Sequence, residues 1–396
     1  DFLKGAPHRK HPGVTHLKTL CLPEGLQRGA LSLIHSELNS SLLCSCYSDT
    51  DKHSFEAQIR KKVLTEMRRT TYHWTPLRYD EELGVVYMAA RLAGGYAAVL
   101  RALNEIKKRD LAFTPYSLLD FGSGLGTALW ASHTLWGVSL KEYVCVDSCG
   151  AMNTLAEQLL TGGIEAGEPL IKHVYFRQFF PVSPKVQADL VVAAFSLSEM
   201  ATQHDRQETV LTLWRKTSSY LVLVENGTKE GHQILMEARD VLLKVLCTYS
   251  TVVSLISVCL QCTHEMPCPK LLSQKVVPCN FIQSYYPLPL RGNPEREQEK
   301  FSYLIMSRVK QKSVGQVDWA RLTGPVHRRS RHVQCQVCCS NGELRQFAVT
   351  KRRHGRHMYR CARSCDWGDQ LPVIQAEENN PTDETHDSYA GTDTMV

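Results

Sequence analysis

A chain of 396 residues, 43% apolar and 8% aromatic, is too apolar for a disordered or collagen-like protein. It is long enough for one large domain with appendages, or for two domains. No run approaches the roughly 18 consecutive apolar residues of a membrane helix, so a soluble protein with no membrane partner is expected. The net charge is +6, but residues 371–396 hold six acids and neither Lys nor Arg, which leaves +12 on everything before them. A body that basic expects a polyanion. Fifteen cysteines in a chain that otherwise reads as an intracellular enzyme favour reduced thiols and metal chemistry over disulfides.

Residues 1–30 lack periodicity and read as an extended cationic arm. Apolar positions recur at helical spacing over 31–43, 53–71 and 86–108, giving a helical N-terminal region over 1–111. Gly94 and Gly95, inside the last of these helices, read as a point of close helix packing. From residue 112 to 312 short apolar strands alternate with amphipathic helices: SLLDFG, EYVCVD, HVYFRQ, ADLVVAAFSL, YLVLVE, TVVSLIS and FSYLIMSRV. Strands without polar alternation, separated by helices, predict an α/β doubly wound, Rossmann-like sheet covered on both faces. Between the sixth and seventh strands, residues 259–300 read as a cysteine-rich insertion. Residues 313–370 form a basic, cysteine-containing extension, and 371–396 an acidic tail that reads as disordered.

Asp120-Phe121-Gly122-Ser123-Gly124-Leu125-Gly126 lies where the first strand meets the first helix of the sheet. Glycines there admit a ligand close to the backbone, and the helix N-terminus offers free amides. The spacing is GxGxG with an acid two residues ahead, not the GxGxxG of dinucleotide sites. It resembles the first motif of class I S-adenosylmethionine-dependent methyltransferases. Asp120, Gly122, Gly124 and Gly126 are therefore candidate cofactor residues, together with Asp147, which ends the second strand where a carboxylate can accept the ribose hydroxyls. The substrate side is weak. After the fourth strand stands Ala194-Phe195-Ser196-Leu197-Ser198-Glu199, in which Ser196 and Glu199 read as a helix capping box. Cys145 and Cys149 read as core filling, and no catalytic residue is assigned.

Two cysteine assignments compete. Cys262, Cys268 and Cys279 supply three thiols in a proline-bounded loop, with Cys335, Cys338 or Cys339 as the nearest fourth donor. Alternatively, Cys335, Cys338, Cys361 and Cys365 approach zinc-ribbon spacing. Spacing does not decide between them.

The segments LPEGLQRGALSLI, YMAARLAGGYAAV, LLDFGSGLGTALWA, AFSLSE, CTHEMPCP, HVQCQVC and WGD together resemble the mitochondrial small-ribosomal-subunit methyltransferase-like proteins over nearly the whole chain. The resemblance implies a [4Fe–4S] cluster, on Cys262, Cys268, Cys279 and Cys338 by matching motifs. It further implies S-adenosylmethionine as probable cofactor and assembly of the small subunit in the mitochondrial matrix. The partners would be small-subunit rRNA, ribosomal proteins of that subunit and other assembly factors. Active rRNA methylation is the alternative. Separately, residues 308–363 hold 14 Lys or Arg against Asp318 and Glu343. With Tyr359 and Trp367 close by, such a bias suits phosphate contacts and base stacking.

Overall fold

The computed structural model describes residues 8–9, 11, 13–43, 80–164, 167–181, 183, 186–249, 268, 270, 277–308, 319–339 and 342–372. The helix expected at 53–71, the strand expected at 251–257, Cys262 and residues 373–396 lie outside them, whereas Leu371 and Pro372, expected to begin the disordered tail, are buried strand residues.

Among the described residues two helices precede the sheet: α1 (Glu24–Leu43) and α2 (Glu81–Arg109). The Asp80 carboxylate caps α2 by accepting the Leu83 N–H, while Glu81 and Glu82 open the helix and Lys107, Lys108 and Arg109 close it, matching the helix dipole at both ends. By length and composition α2 could cross a membrane. Instead Met88 and its apolar residues from Leu92 to Ile106 lie within the main core. Gly94 is the close-packing point: a Cβ there would run into the Glu299 carboxylate.

The α/β region follows in the order β1 (Ser117–Phe121), α3 (Thr127–Trp136), β2 (Glu142–Val146), α4 (Gly150–Leu160), β3 (Val174–Arg177), β4 (Ala188–Ala194), α5 (Gln203–Lys216), β5 (Thr217–Asn226), α6 (Lys229–Tyr249), β6 (Phe281–Tyr285) and β7 (Glu297–Ser307). Among the described residues these strands make one seven-stranded sheet, ordered β3-β2-β1-β4-β5-β7-β6. The first five run parallel and β7 runs antiparallel to both neighbours. This is the class I methyltransferase-type arrangement expected from the strand pattern. Strands β4 and β5 are buried almost end to end, as central strands covered on both faces must be.

The sheet's last strand differs from expectation. β6 lies inside the 259–300 segment read as an insertion, and pairs Phe281 to Tyr285 with Phe301 to Glu297. Its Phe-Ile-Gln-Ser-Tyr alternates buried and half-buried positions. That is the signature of a one-sided edge strand, unlike the continuous apolar runs of its neighbours.

Beyond β7 the basic extension is folded. Strands β8 (Trp319–Leu322), β9 (His327–Arg328), β10 (His332–Cys338), β11 (Leu344–Thr350) and β12 (Gln370–Pro372), with helix α7 (Lys351–Ser364), form a second, antiparallel sheet around its own small core. A fully buried Glu105 on α2 fastens this unit to the body. One carboxylate oxygen accepts from Arg101 (3.0 Å), Arg321 of β8 (3.0 Å) and Tyr303 of β7 (2.9 Å), and the other from Arg109 (3.2 Å) and Arg321 (3.3 Å). Burial alone would raise the Glu105 carboxyl, but the guanidiniums of Arg321, Arg109 and Arg101 hold it well below its ordinary range.

The N-terminal arm is a second fastening. Gly13 to Leu20 runs extended over the junction. The Thr15 and His16 amides both donate to Asp369 Oδ1 at 2.8 Å, and His16 Nδ1 meets Asp369 Oδ2 at 2.5 Å. Arg101 donates to the Thr15 hydroxyl, Asn104 to the Thr15 carbonyl, and Leu20 bridges to Tyr285 at the sheet edge.

Candidate cofactor loop and cysteine centre

Gly122, Gly124 and Gly126 all adopt positive φ (63°, 48° and 77°), which L side chains resist. A Cβ on Gly122 would also collide with the Ser196 side chain. The turn is anchored by the Val146 carbonyl, which accepts the Gly122 (2.8 Å) and Ser123 (3.1 Å) amides across from β2. Asp147 faces this loop. Its Oδ2 accepts the Gly124 N–H at 2.8 Å and its Oδ1 the Cys149 N–H at 2.9 Å. A carboxylate has about four acceptor sites, so these bonds orient Asp147 and leave capacity for ribose hydroxyls. The Asp120 side chain is only 1% exposed. It accepts from the Leu129 amide in the first turn of α3, and burial pushes its carboxyl up to about 7. It braces the glycine turn from beneath.

On the substrate side, Ser196 makes no capping hydrogen bond and only a short 3-10 turn follows, Leu197–Glu199. The helix proper starts at Gln203, where the Thr202 hydroxyl accepts the Asp205 N–H at 3.1 Å. The capping-box reading fails because Phe195 turns the chain through φ 60° and sets Ser196 against Gly122. Glu225, at the end of β5, holds the turn instead by accepting the Leu197 (3.0 Å) and Ser198 (3.3 Å) amides, and burial pushes its carboxyl up to about 7. The Phe195 ring lies under the Arg91 guanidinium, 5.5 Å from the centroid, and Arg91 makes a two-pronged ion pair with Glu299. Neither Arg91 nor Phe195 carries a motif that spacing could have flagged.

Among the described residues no two cysteines are joined in a disulfide. Residues separated by three along a strand point to opposite faces, and β10 does this with Cys335 and Cys338. Cys338 joins the main core with Cys268 and Cys279, each 2–3% exposed, while Cys335 lies in the small core with Cys339, Cys361 and Cys365. The four residues of the ribbon spacing are therefore divided between two cores. Among the described residues no three His, Cys, Asp or Glu side chains converge as ligands of one metal ion.

Cys268, Cys279 and Cys338 belong to the junction between the two sheets. The Cys279 carbonyl accepts from Ser302 of β7 (2.7 Å), and Asn280 donates to the Gly227 carbonyl ahead of α6 (2.8 Å). Lys270 donates to the Thr323 carbonyl beside β8 (3.2 Å), and Cys268 Sγ lies 3.8 Å from His232 Nε2. Buried thiol donors of this kind fit an iron–sulfur cluster. The ligand sulfurs of a four-iron cubane stand farther apart than the ligands of a single ion, so the lack of single-ion convergence is compatible with it.

A protein-family model described as mitochondrial small ribosomal subunit Rsm22 matches residues 81–372. The ribosome assembly protein METTL17, mitochondrial, of Homo sapiens is 46% identical over 403 residues, covering 94% of this chain and 87% of that protein. The mitochondrial Rsm22-cox11 tandem protein 2 of Schizosaccharomyces pombe is 23% identical over 325 residues; the match takes in 73% of this chain and 43% of that longer protein. Among solved structures, magnesium protoporphyrin IX methyltransferase from Synechocystis PCC 6803 is 11% identical with a TM-score of 0.34, over 64% of this chain and 99% of that one. Precorrin-6y C5,15-methyltransferase from Geobacter metallireducens is 12% identical with a TM-score of 0.32, over 54% and 85%. Likeness that faint adds nothing to the strand order. The sequence relatives carry the conclusion: this is a mitochondrial protein, and the chain belongs to the mitochondrial small ribosomal subunit Rsm22 family.

Proposed function

We propose that this chain is an assembly factor of the mitochondrial small ribosomal subunit, working in the matrix. Its methyltransferase-type body holds immature rRNA alongside small-subunit proteins and other assembly factors. Cys262, Cys268, Cys279 and Cys338 hold a [4Fe–4S] cluster that joins the two sheets, and the glycine loop with Asp147 holds S-adenosylmethionine. The domain division follows the one read from the sequence, except that β6 of the 259–300 segment belongs to the main sheet and Leu371 and Pro372 of the expected tail belong to the second sheet, the RNA-facing unit. Bound at the loop, S-adenosylmethionine would supply an electrophilic methyl group; the loop and Asp147 bind and orient it.

The observation that carries the RNA reading is the exposed face of the second unit. Arg329 and Arg331, in the turn between β9 and β10, and Lys351, Arg352, Arg353 and Arg356 on α7 are all exposed. Arg363 fastens that turn to α7 by donating to the Arg329 carbonyl (2.8 Å). Arg328 is excluded from the contact set, since its guanidinium is bound to the Arg363 and Cys365 carbonyls and to Asp366. Replacing Arg329, Arg331 and Arg356 together by Ala is expected to weaken binding to every RNA tested. The log–log salt slope should flatten by roughly 2 to 3 units, since each phosphate contact contributes about 0.7 to 0.9. An unchanged slope would remove this face from the contact.

The second reading, active rRNA methylation, draws on one observation: the left-handed backbone of Phe195 beside Gly122, since strain of that kind collects at functional sites. Incubating the full chain and a small-subunit RNA fragment with radiolabelled S-adenosylmethionine tests it, and no label in RNA under conditions where calorimetry registers cofactor binding would reject it.

A further inference from the structure

His232 is 1% exposed, a charge-capable side chain taken out of water on the first turns of α6 with no part in the fold's fastenings. Its Nε2 lies 3.8 Å from Cys268 Sγ, within reach of an N–H to sulfur hydrogen bond. Its backbone is fixed, because the His232 amide donates to the Thr228 carbonyl at 3.1 Å and the preceding loop is held by Asn280. A side chain so placed is a rigid element aimed at a thiol, in the sense that functional sites require.

We infer that His232 donates its Nε2–H to the Cys268 sulfur and thereby sets the redox poise and chemical resistance of the cluster; this rests on the iron–sulfur reading given above. A thiolate only accepts, so the contact requires that Nε2 carry a proton. Hydrogen bonds to ligand sulfurs are among the levers that set iron–sulfur potentials. The bond strengthens as electron density on sulfur rises, so it favours the reduced cluster and raises the midpoint potential. It also lowers the basicity of the sulfur, which slows protonation and loss of iron.

The test uses the full chain, reconstituted anaerobically with iron and sulfide, in wild type and in His232→Leu, His232→Gln and Cys268→Ser. His232→Leu is expected to keep its iron, to move the midpoint of an electron-spin-resonance titration to more negative potential, and to lose iron to a chelator several-fold faster. His232→Gln, which retains an N–H, should recover part of both changes, a rescue that a purely packing role would not give. Cys268→Ser should lose iron outright. In wild type labelled with 15N-histidine, pulsed spin resonance of the reduced cluster should show one weak nitrogen coupling, a measurement that stands even if a variant fails to fold. Unchanged potential and lability in an iron-replete His232→Leu overturn the inference. So does a strong coupling with loss of iron in that variant, which would make His232 a ligand. Wild type that takes up no iron rejects the cluster itself, and this assignment with it.

Discussion

Cys335 and Cys338 are three residues apart in sequence and belong to different cores, and that separation gives each a distinct expected phenotype. Cys338→Ser should abolish the broad absorption near roughly 400 nm of a cubane cluster, while Cys335→Ser should leave it and alter only the small core. Iron analysis showing the reverse would move the fourth ligand to Cys335. Asp120 makes a different kind of statement. An ordinary Asp titrates near 3.9, whereas the buried Asp120 is pushed up to about 7, so the folded state favours its protonated form. Its penalty is absent well below pH 4, grows as pH rises from about 4 to about 7, and is constant above. Asp120→Asn should therefore gain stability over wild type across that window. The ceiling is about 4 kcal/mol, since each tenfold change in proton affinity between the folded and unfolded chain is worth about 1.4 kcal/mol, less whatever the added amide donors lose by finding no partner. Glu225, raised in the same way, leaves a residual slope in the variant. Denaturant midpoints that keep a constant offset from wild type between pH 4 and pH 7 would defeat the assignment.

At the scale of elements, the N-terminal arm shows what sequence reasoning reaches and what it misses. The central parallel strands β1, β4 and β5 were legible because each is an apolar run that no exposed strand could carry, and the glycine loop because three residues with positive φ leave few alternatives to Gly. β6 was hidden by its alternation, and the second sheet by its brevity and charge, since β8, β9 and β12 span four, two and three residues. The latch between arm and core was illegible because its partners lie 353 or 354 residues apart. Trp367-Gly368-Asp369 was visible as a motif, but nothing local says that Asp369 receives the arm. His16 makes the latch pH-sensitive. Its hydrogen bond to Asp369 raises its pKa above the ordinary 6.5 despite the opposing effect of burial. The stabilisation is therefore complete below about pH 6.5 and is lost as pH rises through the folded value. Hydrogen exchange at the Thr15 and His16 amides should accelerate, beyond the intrinsic base-catalysed rise, as pH passes from 6 to 9. His16→Ala should show fast exchange throughout, and a latch indifferent to pH in wild type would count against this pairing.

Across the whole molecule, the two sheets share one electrostatic joint, and its charges are lopsided. Three buried guanidiniums, from Arg101, Arg109 and Arg321, surround one carboxylate on Glu105, with Asp369 adding charge compensation at Arg101. Breaking a buried ion pair by removing one partner typically costs about 3–5 kcal/mol, because the remaining charge stays out of water. Glu105→Gln leaves three such charges, so its loss should reach or exceed that range. Because Arg321 belongs to the second sheet while Arg101 and Arg109 belong to α2, the relief available to the molecule is to let the second sheet go. The variant is thus expected to let limited proteolysis release a basic fragment containing α7. Arg321→Met, which withdraws one excess cation and keeps apolar bulk, should be far milder in melting temperature yet loosen the same joint. If Glu105→Gln instead melts as a single cooperative unit and releases no such fragment, the coupling between the body and the second sheet rests on the arm and the cysteine centre. Combining it with His16→Ala would then be the change that separates them.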